Sequence, residues 1–596
     1  MRENTRMGRC MTGRGQVGFD DFMETIYVEM MREVPELSVL MGVLEAGSTA
    51  CPLDRFSLMS DEAIADRLRL LGSIERRLAA FPRESMNHAQ LITADVLDYF
   101  VKCGVEGPWI GLRGAEFASH SYLVNAGHGE PSRLLDALTQ QHPFRHERDA
   151  EDYLVRAGTF GEAIAHVGRQ AARRAERGIV LPAPLLRQSI DEIRGFVALA
   201  PQANPIYQAF AEKSQSAGGL SPRRRQQMLE ALQDTIRRRV LPSYAALAEM
   251  LERHIERASP EPGLWRLPDG EAYYEFLLRA ATTTDMSAAE VHDLGKEHVI
   301  RLQSEIGAAL GAAGLPSGDP IDSLRQLESQ TRFAPSLDRE ALLTRCHSIL
   351  RDIRGQIGGL FHWLPEAQIR MESVPTFSED VRHTVYLPSA VDGSRPACMV
   401  INLRDVAAES ELDLWTLLYH EIYPGHHLQF SYAQQVKGLP TFRRAVTFDA
   451  YIEGWAKYAE TIPWEHQLNR DPRWHAMRLR RELLSTANLV LDTGIHSKRW
   501  TFAQAEGFLS STTGCSAAMS RSIALRSASV PAQLCSYKIG MLQVTELKDR
   551  FERARGARFD IRDFHTAILE HGALPLRVLR TVVDSAAMAG AAAERA

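Results

Sequence analysis

The stretch Leu417-Leu418-Tyr419-His420-Glu421-Ile422-Tyr423-Pro424-Gly425-His426-His427-Leu428-Gln429 constrains this chain more than any other. It opens with the His-Glu pair of the zinc-hydrolase helix. In the standard form, two histidines at i and i+4 share one face and the intervening Glu acts as general base. Here the next histidines come only at i+6 and i+7. At about 100° per residue, position i+6 faces a different side from i. Pro424 cannot continue an ideal ladder, and Gly425 admits unusual dihedrals. The helix therefore has to bulge or break. A bulge that absorbs the two extra residues returns His426 to the place of the second ligand. His427, at about 700° round an unbroken helix, faces as His420 does but sits about 10 Å along, too far to share one ion. His426 is the expected ligand, with His427 the alternative.

An open catalytic zinc site takes three protein ligands and a water. The segment Tyr451-Ile452-Glu453-Gly454-Trp455-Ala456-Lys457-Tyr458-Ala459-Glu460 offers the third. Ile452, Trp455, Ala456 and Ala459 form an apolar stripe, and Glu453 and Glu460 share a neighbouring face two turns apart. Either could reach a metal. Glu453 is preferred because Gly454 beside it leaves the approach clear. An isolated Glu on a helix is ordinarily a solvated charge, and only the His-Glu motif raises this one. Glu421 is the expected base, activating a zinc-bound water and passing its proton to the leaving nitrogen. A tetrahedral oxyanion needs a donor. Candidates are His496, Arg526 and Tyr537, each of which, taken alone, is more often structural.

Composition sets the class. The chain has 596 residues, 45% apolar and 24% charged, as in ordinary globular proteins. A net charge of −6 and the lack of interleaved basic and aromatic runs argue against a nucleic-acid partner. The seven cysteines are scattered, with no C-x-x-C pair. That fits reduced thiols and a cytoplasmic protein. Met1 to Gln16 is polar and Arg-rich, and no stretch approaches the roughly 18 apolar residues of a membrane helix, which argues against export and insertion.

Helical periodicity dominates from Phe19 onward. Arg223 to His254 reads as a long helix interrupted near Pro242, and Ser287-Ala288-Ala289-Glu290 as a capping box opening a helix toward Leu310. Gly307 to Pro320 reads as a connection and Leu337 to Leu360 as another helix. Between Met371 and Arg404 the pattern alternates around the turn Asp392-Gly393-Ser394, predicting a short hairpin or pair of strands. The strand Ala397 to Leu403 precedes the His420 helix, where an edge strand could pair with an extended substrate. A structural strand in the core is an equal expectation. The expected divisions are a disordered 1–17, a helical scaffold lobe 18–280, a metal-binding lobe 281–583 and a flexible tail 584–596.

The run His-Glu-x-x-Pro-Gly-His-His-Leu-Gln at 420 to 429 resembles the signature of the bacterial domain-of-unknown-function 885 family. Further matches follow in the family's order: Gly263 to Gly270 with Tyr274, Thr282 to Thr284, Glu290 to Gly295, Asp392 to Pro396, Glu453 to Glu460, Asp492 to His496, Tyr537 to Gly540, and Phe564 to Leu576. The similarity spans about Phe19 to Val583. It implies a mainly α, two-lobed fold with a deep cleft, like gluzincin metallopeptidases such as carboxypeptidase Taq. It implies zinc on His420, His426 and Glu453, with Glu421 as base and Tyr537 and His496 lining the cleft. The chain departs from the pattern at Ser527, after Arg526, and at Cys398 and Met399, where aromatics are usual; both departures would reshape the substrate pocket. The leading expectation is a zinc-dependent hydrolase of amide bonds in a peptide or peptide-like metabolite. The alternatives are a metal-dependent biosynthetic enzyme performing deacylation or cyclisation, and a non-catalytic helical binding protein.

Overall fold

A computed structural model describes residues 18–36, 53–105, 122–315, 318–334, 337–366, 369–374, 379, 384–390, 393 and 395–592. The expected disordered 1–17, the end of the tail, and Asp392 and Ser394 of the expected turn lie outside them. The described chain is mainly helical, with one small sheet.

Local chemistry accounts for the element boundaries. Ser287 and Glu290 cap each other reciprocally and open the helix Ala288–Ala312, which runs two residues past Leu310 into the expected connection. Thr501 and Gln504 do the same for Phe502–Thr513. Pro222–Thr235 and Leu241–Glu252 are separated by a wider turn at Ile236–Val240, immediately before Pro242. A proline without an N–H forces that local unwinding.

A large apolar core draws on side chains from Phe19 to Ala587, so it takes residues from both sides of the expected boundary at 280. A second cluster, including Leu302, Ile306, Leu324, Leu483, Leu491 and Leu509, packs Ala288–Ala312 and its neighbours on the helix Pro472–His496. The helix Asp449–Ala459 lies against Gln533–Arg555 at a glycine pair. A Cβ on Gly454 would sit 2.5 Å from the Gly540 backbone, and one on Gly540 would sit 1.9 Å from the Ala450 carbonyl. Gly454 therefore lets a second helix approach Glu453's helix from behind, rather than clearing the way to an ion. Trp455 is fully buried against Phe361, Tyr458 and His565. Truncating it to alanine would cost about 3–5 kcal/mol.

The sheet has three strands, β1 (Arg370–Ser373), β2 (Val385–Leu387) and β3 (Cys398–Ile401), in the order β1-β3-β2. The pair β2/β3 is antiparallel, with Tyr386 opposite Met399, and β1 runs parallel to β3. The expected substrate-pairing edge strand is thus the central strand, with both edges covered by neighbours. Cys398 and Met399 are buried in it. β1 is too short and too polar for its alternation to be read.

Candidate metal centre

Helix Glu411–Glu421 is capped by Ser410, whose hydroxyl accepts from the N–H groups of Leu412 and Asp413. It stops at Glu421. Ile422 leaves helical dihedrals (φ −121°, ψ −80°), the Tyr423–Pro424 bond is cis, and a new helix, His426–Gln435, starts after Gly425. The chain folds back so closely that a Cβ on Gly425 would sit 1.7 Å from the His420 carbonyl, which only glycine permits. The Trp455 indole donates to the Pro424 carbonyl at 2.9 Å, and the Gln429 amide donates to the Tyr451 carbonyl at 3.2 Å. These bonds tie the break to the helix that carries Glu453.

The break brings His420, His426 and Glu453 together. Glu453 Oε2 lies 3.4 Å from His420 Nε2 and 3.5 Å from His426 Nε2. The ligand atoms all lie within 4.8 Å of one another. A tetrahedral zinc ion with bonds of about 2.0–2.1 Å spaces its ligand atoms about 3.3–3.4 Å apart. Glu453 Oε2 is buried and makes no hydrogen bond among the described residues. An orphaned, buried carboxylate oxygen facing two imidazole nitrogens at this spacing fits a divalent cation.

The remaining polar atoms hold the His420 imidazole in place. His420 Nδ1 donates to Glu460 Oε1 at 3.0 Å, leaving Nε2 to face Glu453. Glu460 Oε2 accepts from the Lys457 ammonium at 2.6 Å, and both side chains are almost wholly buried. Glu460, the other acid that could reach a metal, therefore bonds His420 from behind and does not join the triad. His427 turns the other way and shares a hydrogen bond with the Tyr386 hydroxyl at 3.0 Å. Tyr386, on β2, stacks on His426 at 6.3 Å between ring centroids.

Electrostatics follow from this crowding. Burial alone would push the His420 imidazole down, but the carboxylates of Glu453, Glu460 and Glu421 prevail and hold it up at about 9. Burial opposes ionisation of Glu453 as well, and the two imidazoles hold its carboxyl well below the usual range. Glu421 is buried, which raises its pKa; the neighbouring imidazoles partly offset this. Its carboxylate has no hydrogen bond among the described residues.

Tyr537 and Arg526 stand beside the triad. The Tyr537 ring lies parallel to His420 at 6.4 Å, and its hydroxyl accepts from Arg526 at 3.2 Å. Arg526 also donates to Gln533 at 3.0 Å. Asp449, one turn before Glu453, is exposed. The surrounding protein, and then Glu453, nonetheless push its carboxyl up to about 7, against the pull of Arg526.

His496 is the correction among the expected site residues. It is fully buried and stacked on Tyr274, with Nδ1 accepting from the Leu264 N–H and Nε2 donating to the Ser527 carbonyl, both at 3.1 Å. Neither nitrogen remains to serve a substrate. Ser527 is likewise buried, donating to Asp492 at 2.7 Å, so its departure from the family pattern reshapes a helix contact rather than a pocket. The sequence reading missed Lys457, Tyr386 and Asp449. The first and last carried a helical-spacing signal from Glu460 and Glu453. Tyr386 carried none, because its partner lies 41 positions away.

Over residues 35–583 the chain matches the model of a family described as bacterial protein of unknown function (DUF885). No curated protein matches. Among solved structures, a candidate lipoprotein from Colwellia psychrerythraea superimposes with a TM-score of 0.91 at 26% identity, covering 96% of this chain and 100% of that one. A candidate lipoprotein of unknown function from Shewanella oneidensis superimposes with a TM-score of 0.71 at 15% identity, covering 95% and 100%, which speaks to the fold alone.

Proposed function

This chain belongs to the DUF885 family, and for it we propose a zinc-dependent hydrolase that cleaves amide bonds in peptides or small peptide-like molecules. The observation that carries the reading is the spacing of His420 Nε2, His426 Nε2 and Glu453 Oε2 beside the unbonded carboxylate of Glu421. A divalent cation held there would supply Lewis acidity and make water a nucleophile near neutral pH. Glu421 takes the proton of the attacking water and returns it to the departing nitrogen. Its raised pKa favours that return. Tyr537, held by Arg526, presents its hydroxyl to the oxyanion that develops on the carbonyl oxygen. Lys457 balances Glu460, so that the imidazole of His420 is oriented without adding an uncompensated charge.

The test is metal analysis of the purified chain, followed by turnover of a library of peptides and N-acylated amino acids. Bound zinc in the native chain, lost in Glu453→Ala, is the expected result. No zinc at stoichiometric level, or full turnover by Glu421→Gln, would end the proposal. Among the described residues no helix is long and apolar enough to cross a membrane. A cytoplasmic location remains part of the proposal, and cell fractionation decides between it and the lipoprotein description of the Colwellia psychrerythraea protein.

A further inference from the structure

We propose that Asp449 anchors the free amino terminus of the substrate, making the chain an amino-terminal exopeptidase that releases the first residue of uncapped peptides. This inference rests on the hydrolase reading above and names its substrate class. Asp449 and Glu453 stand at i and i+4 of the helix Asp449–Ala459, so their side chains leave the same face about 6 Å apart. Glu453 is committed to the triad. Asp449 is exposed as a residue, and its carboxylate, though enclosed by the surrounding protein, has no hydrogen bond or ion pair among the described residues. The charged groups that act on it are Glu453, which repels it, and Arg526, whose terminal nitrogen is already shared between Gln533 and Tyr537.

A substrate carbonyl placed at the triad carries its own α-nitrogen on the order of 2–3 Å away. A charge-assisted hydrogen bond adds about 2.8 Å. The sum reaches a carboxylate one helical turn beyond Glu453. An unpaired carboxylate beside a second acid selects a cation and disfavours an anion. At this distance the group that meets it is the α-ammonium of a first residue; an internal peptide bond offers only a neutral amide. The competing account is that Asp449, in the first helical turn, merely complements the helix dipole. That role would leave substrate preference untouched.

The experiment uses the metal-loaded full chain. kcat/KM is measured for alanyl-, leucyl- and lysyl-p-nitroanilide and for their N-acetyl counterparts, in the native protein and in Asp449→Asn. In parallel, melting temperature is followed with L-leucinamide and with N-acetyl-L-leucinamide. The native protein should prefer the uncapped substrates by a hundredfold or more. Asp449→Asn should lose most of that preference while keeping its metal, and leucinamide should raise the melting temperature of the native protein alone. Equal turnover of capped and uncapped substrates, or an undiminished preference in Asp449→Asn, overturns the inference while leaving the hydrolase intact. Fast cleavage of the N-acetyl-lysyl substrate, lost in Asp449→Asn, would move the contact to a side-chain ammonium and also overturn it. If no amide is cleaved at all, the hydrolase reading fails by itself, and leucinamide binding by the native protein but not by Asp449→Asn still decides the role of Asp449.

Discussion

Among the described residues, the buried polar clusters around Asp492 and around His420 are built on opposite terms. Around Asp492, every group is answered. Its carboxylate accepts from Tyr274 and Ser527 at 2.7 Å and from the Ala532 N–H at 2.9 Å, and His496 engages backbone with both nitrogens. Around His420, the inner groups are left open: Glu453 Oε2 and His426 Nδ1 are buried without hydrogen bonds, and Glu421 has none. Burying polar groups without partners costs stability, and the two clusters differ in how much of that cost they carry. The Asp492 cluster pins three helices and the turn at Leu264 together. The His420 cluster instead leaves an acid oxygen and an imidazole nitrogen unanswered.

Breaking each cluster should expose the contrast. The largest expected effect is on chemistry: Glu421→Gln should lower kcat by about a thousandfold while leaving metal content and melting temperature nearly unchanged, as metal analysis and steady-state kinetics would show. Next is stability. Asp492→Ala strands three donors and should cost about 3–5 kcal/mol in chemical denaturation, whereas Glu421→Ala should cost far less, because no partner is orphaned. A loss from Glu421→Ala as large as that from Asp492→Ala would dissolve the distinction. Third, Glu460→Gln should weaken zinc binding by about 10–100-fold in chelator competition without abolishing it, since it supports His420 from outside.

The smallest effects are in pH dependence, and here the two kinds of buried histidine should differ in sign. Among the described residues His565 shares hydrogen bonds only with Leu360 and Tyr458, and burial pushes it down to about 3. The unfolded chain takes up that proton below about 6.5. Stability should therefore fall by up to about 1.4 kcal/mol per unit as pH drops from about 6.5 towards 3, and His565→Gln should flatten the slope of denaturation midpoint against pH. His420 in metal-free protein is held up at about 9, so the stability it lends is full below about 6.5 and is lost as pH rises through about 9. His420→Gln should flatten the alkaline side instead.

Much of this organisation was legible in residue order. The helix break at Pro424 and Gly425, the capping box at Ser287, the unwinding before Pro242 and the choice of His426 over His427 all follow from local sterics and spacing. A partner Glu on the helix around 453 to 460 was legible too, but not which of Glu453 and Glu460 it is: the missing Cβ of Gly454, the ground for preferring Glu453, makes room for Gly540, on a helix more than 80 residues later. His496 was misplaced for the same kind of reason. Its neighbours in sequence resemble those of a site residue, but its partners, Leu264 and Ser527, come from distant segments.

By itself the sequence determined which side chains can bind a cation and where the backbone must turn, because those depend on residue chemistry and on dihedral limits that act over a few positions. Only the tertiary structure decided which acid meets the two imidazoles and which stands behind them, which strand lies in the middle of the sheet, and which histidine is a strut. Those outcomes depend on how close two helices can pack and on which polar groups find partners once water is excluded, and neither quantity is local to the chain.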